Sequence, residues 1–129
     1  QENAQRWQLD LNKVGLLGFS AGAMVVLNTA VDEQNLVKPA FVAPIYGPVN
    51  KVLLPTQPIP LFIAMAADDP LFGDRGFALL TSWKKARYPM EFHLYEDGGH
   101  GFGLGKSDTS SEFWLNDFEN WLIKHEFIK

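Results

Sequence analysis

The sequence predicts an α/β domain, a sheet of about four parallel strands with helices on both faces. Two observations carry this. Short apolar runs alternate along the chain with segments of helical spacing, which is the pattern of βαβ units. The composition of the 129 residues, 47% hydrophobic and 20% charged, is that of an ordinary packed domain. A chain of this size buries roughly two thirds of its unfolded surface, enough for one core. No repeat, low-complexity tract or domain boundary interrupts it, so residues 1–129 read as a single domain or part of one.

Residues 2–8 have the spacing of the last turns of a helix, with Ala4 and Trp7 on one face. Asp10-Leu11-Asn12 is a turn, and Val14–Gly18 is a buried strand. Ala21–Val31 is apolar on almost every face, which predicts a central buried helix. Residues 40–46 form a second strand with a proline near its end. The stretch 47–60, with Pro48, Pro55, Pro58 and Pro60, is a loop. Leu61–Ala66 is the third strand. Phe77, Leu80, Trp83 and Ala86 mark a helix over 74–87, which Pro89 ends before a fourth strand at Met90–Tyr95. After the glycine-rich loop 98–105, Thr109-Ser110-Ser111-Glu112 fits a capping box. It would open a last helix with Trp114, Leu115, Phe118, Trp121 and Leu122 turned inward.

Charge and cysteine content exclude several classes of function. Lys plus Arg is 11 and Asp plus Glu is 15, a net charge of −4 that argues against nucleic acid or an anionic membrane as partner. With no cysteine there is no disulfide scaffold, Cys-based zinc site or cysteine nucleophile. No apolar run reaches the roughly 18 residues of a membrane span. The opening Gln1-Glu2-Asn3-Ala4 has neither Met nor an apolar signal segment, so the expectation is an N-terminus made by processing or truncation. The compartment stays open: cytoplasmic, or secreted or periplasmic after loss of a signal peptide.

The chemistry lies in three segments. Gly18-Phe19-Ser20-Ala21-Gly22 is a G-x-S-x-G string between a predicted strand and a predicted helix, the context of a nucleophile elbow. There a serine sits on a strained turn, and the helix N-terminus aims amides and its positive dipole end at a developing oxyanion. Asp68 and Asp69 directly follow the third strand, and His100 directly follows the fourth. One of the two acids would partner the histidine, the other being a cap or a solvated loop acid. Serine, acid and histidine thus fall just past the C-terminal ends of parallel strands, where ligands collect in open α/β sheets. Their order along the chain, Ser…Asp…His, is that of the α/β-hydrolases.

The run from Asn3 to Gly22, with its tryptophan helix, Asp turn and G-F-S-A-G elbow, resembles the approach to the nucleophile in α/β-hydrolase esterases. The subgroup it most resembles is that of acetyl-xylan esterases and small lipase/esterase-like proteins. The segments Ala67-Asp68-Asp69-Pro70-Leu71-Phe72 and Gly98-Gly99-His100-Gly101-Phe102-Gly103 resemble its acid and histidine loops. The resemblance covers the whole chain but only the C-terminal half of the family fold. It implies Ser20 as nucleophile, His100 as base, Asp69 as the acid and the Ala21 amide as one oxyanion donor. It also implies that about four strands and an H-G-G-type loop with the second donor precede the elbow in family members. Leu11 and Ala23 depart from the common proline and glycine of the pattern.

The function expected is hydrolysis of carboxylic esters with a small acyl group, acetyl first, by way of an acyl-enzyme and without a cofactor. A small ester or an acetylated carbohydrate is the substrate the resemblance implies. A serine peptidase of the prolyl-oligopeptidase kind, or a non-catalytic relic serving as an interaction module, are the alternatives. Dienelactone hydrolase ranks below these, since that family uses a cysteine at the elbow and this chain has none. Phe19, Tyr46, Phe72 and Phe102 are candidate pocket residues. His93 and His125 read as structural, and Asp68, Asp69 and Asp74 match no metal-loop spacing, so no metal is expected. Without preceding strands, Val14–Gly18 would be an exposed apolar edge, which predicts a homo-oligomer or a complementing N-terminal fragment.

Overall fold

The computed structural model describes residues 3–35, 37–72 and 75–129. Along the chain run α1 (Ala4–Trp7), a 3-10 turn (Leu11–Lys13), β1 (Leu16–Phe19), α2 (Ala21–Val31) and β2 (Val42–Ile45). Then follow β3 (Leu61–Ala66), α3 (Ala78–Ala86), β4 (Met90–Tyr95) and α4 (Trp114–Lys124). The four strands make one sheet in the order β1-β2-β3-β4, every pair parallel. The α/β class read from the sequence is therefore the fold observed.

The alternation of side chains along β3 decides where the helices go. Leu61, Ile63 and Met65 point to one face, where Val26, Leu27 and Ala30 of α2 and Leu79 and Trp83 of α3 cover them. Phe62, Ala64 and Ala66 point to the other, against Trp114, Phe118 and Trp121 of α4. All six β3 residues are buried, as expected for a strand covered on both sides. Pro44 lies in an interior strand, where a missing N–H would leave a gap. The β2–β3 pairing indeed joins Val42 to Leu61 and Ile45 to Ala64 and skips the residues between.

No helix links β2 to β3. The proline-rich loop crosses on the α2/α3 face, burying Val49 and Ile59 in that core. Backbone carbonyls of the loop tie it to the neighbouring helix: Val49 O accepts the Leu79 N–H at 2.9 Å, and Ile59 O accepts the buried Trp83 Nε1–H at 3.2 Å.

Several sequence expectations need correction. Only one side of α2, Ala23, Val26, Leu27 and Ala30, is buried, while Met24 and Val25 are exposed at 44% and 65%. Its apolar outer face therefore lacks cover among the described residues. The third helix begins at Ala78 rather than at 74, because Gly76 takes a left-handed φ of 72° and Phe77 stands at the N-cap. Its expected start at Asp74 lies outside the described residues, as does residue 2 of the first helix. The capping box does not form. Glu112 accepts from the Asp108 N–H, Thr109 Oγ1 donates to Lys106 O, and α4 starts later, behind Phe113, with no side-chain cap.

Candidate active site

β1 hands over to α2 through a single residue. Ser20 has φ 51° and ψ −114°, a conformation that costs a residue with a Cβ about 1–3 kcal/mol. The surrounding contacts hold it there. The Ser20 N–H donates to Ile45 O at 3.0 Å, prolonging the β1–β2 ladder, and Ser20 O accepts the Ala23 N–H at 3.0 Å, opening the helix. A Cβ on Gly18 would strike the Gly22 carbonyl, and one on Gly47 would strike Ala23. Gly22 itself faces open space, so of the two motif glycines it is Gly18 that the turn requires.

The turn lifts the Ser20 hydroxyl to within 2.8 Å of His100 Nε2. The other ring nitrogen, Nδ1, lies 2.8 Å from Asp69 Oδ2. Asp69 is 2% exposed, and its second oxygen accepts the Leu71 N–H at 2.8 Å, so both carboxylate oxygens are occupied. Since an ionised carboxylate only accepts, Nδ1 carries the proton and Nε2 presents a lone pair to the Ser20 hydroxyl. The structure thus brings Ser20, Asp69 and His100 together from three strand ends. Ala21 is the first residue of α2, and among the described residues its N–H has no acceptor.

Of the four aromatic candidates, two touch the imidazole. Tyr46 meets the His100 ring edge-on and Phe72 tilts against it, each at 5.4 Å between centroids. Phe102 is buried behind Tyr46 at 4.8 Å, and Phe19 packs on Tyr46 and Trp114. Those two support the wall rather than line it. Burial pushes the Tyr46 hydroxyl above the usual tyrosine range. Beyond Phe72, whose ring carries the Arg75 guanidinium at 5.3 Å, lies a cavity of about 270 Å³ bordered by Met24, Asn28, Asn50, Lys51 and Arg75.

Asp68 does not join this set. Its exposed carboxylate accepts the Gly99 N–H at 2.7 Å, a contact that no local pattern of residues signals. His93 sits on β4 between Glu91 and Asp117 and stacks on Tyr95. Burial, and then the Asp117 carboxylate that accepts its hydrogen bond, drive the Tyr95 hydroxyl far above its ordinary range. His125 closes α4 and packs on Trp121 and Phe127. Neither histidine reaches the site. Among the described residues no group of acids and histidines could hold a metal ion. Asp74 lies outside the described residues. Among the described residues no helix is long and apolar enough to cross a membrane.

The fold is similar to that of several proteins of known structure. An α/β-hydrolase enzyme from a Medee basin deep-sea metagenome library superposes with a TM-score of 0.78 at 24% identity, over 95% of this chain and 58% of that one. An acetyl ester-xyloside bifunctional hydrolase from Caldicellulosiruptor lactoaceticus gives 0.80 at 20% identity, over 99% and 62%. The carboxylesterase Cest-2923 from Lactobacillus plantarum gives 0.77 at 16% identity, over 99% and 64%. These likenesses show an α/β-hydrolase fold, of which this chain spans less than two thirds of each relative's length. No curated protein sequence matches. The profile of the dienelactone hydrolase family, ranked below the esterase reading for want of a cysteine, matches residues 2–124. The match spans the whole succession of strands and helices, and Ser20 stands at the strand-to-helix turn. The chain belongs to the dienelactone hydrolase family, within the α/β-hydrolase superfamily.

Proposed function

We propose that residues 1–129 carry the reacting groups of a serine hydrolase that cleaves carboxylic esters with a small acyl group. One observation supports this above all: the continuous hydrogen-bonded line Ser20–His100–Asp69, with each bond at 2.8 Å, beside an unpaired helix N-terminal amide. In this reading the Ser20 Oγ attacks the ester carbonyl carbon while His100 Nε2 takes its proton. The Ala21 N–H donates to the resulting oxyanion, and Asp69 stabilises the imidazolium through Nδ1–H. Collapse expels the alcohol, which takes the proton from Nε2. Water, deprotonated by the same nitrogen, then releases the acid from the acyl-enzyme. No cofactor enters these steps.

The walls set by Tyr46 and Phe72 against the imidazole, and a β2–β3 loop too short for a large lid, favour an acetyl-sized acyl group. The amide- and cation-rimmed cavity beyond Phe72 suits a hydroxyl-rich alcohol such as a sugar. One of the structural relatives is itself named for acetyl esters and xylosides. The test is a series of p-nitrophenyl esters. The kcat/KM is expected to be highest for acetate and to fall about 10-fold or more by octanoate. Fastest turnover of octanoate would refute the small-acyl reading, and cleavage of a peptide anilide in preference to every ester would favour a peptidase.

β1 is an edge strand whose Leu17 is exposed, and Val14 before it and Met24 and Val25 of α2 are exposed too. An apolar edge of this kind pairs with further chain. We propose that a second copy, or additional N-terminal strands, covers it and brings the second oxyanion donor. One donor is worth about 10²–10³ in rate. Sedimentation of the 129-residue chain is expected to show self-association, or a monomer that binds an N-terminal fragment. A well-dispersed monomer that binds no such fragment would contradict this.

A further inference from the structure

We propose that Asp68 is a positioning residue, whose carboxylate grips the Gly99 amide and so fixes the backbone that carries His100. The proposal rests on reading Ser20, His100 and Asp69 as the reacting set.

The backbone of the loop that carries His100 has few hydrogen bonds to hold it. Gly98, Gly99 and Gly101 have φ of 145°, 67° and 80°, in the region that glycine enters freely, so this stretch has a large conformational entropy to lose. The β3–β4 register ends at Tyr95. From residue 98 to 101 no backbone group makes a backbone–backbone hydrogen bond among the described residues. The neighbouring segments are secured: Asp97 and Ser110 exchange several hydrogen bonds, which hold the Asp97 carboxyl below the usual carboxylate range, and Phe102 is buried. Between those anchors the Gly99 N–H to Asp68 Oδ1 bond, at 2.7 Å, is the one hydrogen bond to the backbone among the described residues.

The base of that bond is firm. Asp68 stands two residues past the end of the buried strand β3, and the turn there is closed by the Asp69 N–H to Ala66 O and the Leu71 N–H to Asp69 Oδ1 bonds. Consecutive acids therefore hold the histidine at two points. Asp69 orients the ring, and Asp68 orients the peptide one residue upstream. With the ring bond alone, His100 could pivot while keeping Nδ1 on Asp69, and Nε2 would leave the 2.8 Å approach to Ser20. A bond from an amide to a charged acceptor is of the stronger class, but the Asp68 carboxylate is exposed, so its effect falls on orientation more than on stability.

The experiment compares Asp68→Ala and Asp68→Asn with the unaltered chain. Asparagine keeps an oxygen for the Gly99 amide, and alanine does not. With p-nitrophenyl acetate, Asp68→Ala is expected to lower kcat about 10- to 100-fold with KM changed less than about twofold, because a small misplacement of a catalytic group acts on the transition state. Asp68→Asn is expected to recover most of that loss. Hydrogen exchange at the Gly99 amide, which needs no turnover, is expected to quicken about 10-fold or more in Asp68→Ala only. Unchanged kcat in Asp68→Ala, or an equal fall in both variants, would overturn the positioning role. If no form turns over ester, with or without an N-terminal fragment that supplies the second oxyanion donor, the proposed function fails, while unchanged Gly99 exchange in Asp68→Ala would still sink the tether on its own.

Discussion

Ser20→Ala is expected to abolish labelling by a fluorophosphonate probe and to lower ester turnover about 10⁴-fold or more. The hydroxyl is the only group lost, and among the described residues its single hydrogen bond is to His100 Nε2. The backbone strain at φ 51° is the same for serine and alanine, since both carry a Cβ. The elbow contacts, Ser20 N–H to Ile45 O and Ala23 N–H to Ser20 O, are backbone bonds and survive the change. Thermal unfolding should therefore stay close to that of the unaltered chain while the chemistry disappears. Turnover that persists within tenfold would mean that another group attacks the ester.

Asp69→Asn is expected to lower kcat about 10⁴-fold with the fold intact. The reason lies in the two bonds of the carboxylate. The Leu71 N–H, 2.8 Å from Oδ1, needs an acceptor, so the asparagine oxygen must stay on that side. Its NH₂ group then faces His100 Nδ1, which can only accept. The imidazole proton moves to Nε2, where it confronts the Ser20 hydroxyl and cannot receive another proton. Every buried polar atom keeps a partner, so stability changes little, and the lesion appears as a loss of kcat and of probe labelling rate. An Asp69→Asn protein within tenfold of the unaltered one would remove Asp69 from the proposed mechanism. Beside Asp68→Asn, which is expected to retain most activity, the two neighbouring acids should respond in opposite ways to one chemical change, because one contacts a tautomer-sensitive ring and the other a plain amide.

Much of this frame was legible in the residues because it is set by local rules. Leu61–Ala66 reads as a strand from its apolar run, and Trp114, Phe118 and Trp121 read as a buried helix face from their spacing. Once strand ends are located, the C-terminal edge of a parallel sheet gathers whatever polar residues follow them. Ser20, the acid pair and His100 could be gathered in this way. Helix starts were less legible. Thr109 through Glu112 has the letters of a capping box, but the backbone around Asp108, at φ 61°, turns the chain so that Glu112 bonds elsewhere.

What the sequence determined by itself was the α/β class, the order of elements and the identity of the polar groups at the strand ends, since each depends on periodicity or on immediate neighbours. Three things were decided only in the tertiary structure. The apolar helix α2 exposes Met24 and Val25, because burial depends on what packs on the far side and not on the helix's own composition. Tyr46 and Phe72 face the imidazole while Phe19 and Phe102 stand behind, a choice that sheet geometry makes among four equivalent rings. Asp68 meets the Gly99 amide across a gap of 31 positions. No local pattern encodes that contact, because one partner is a peptide N–H, which every residue but proline has, and only the folded chain selects which one a carboxylate meets.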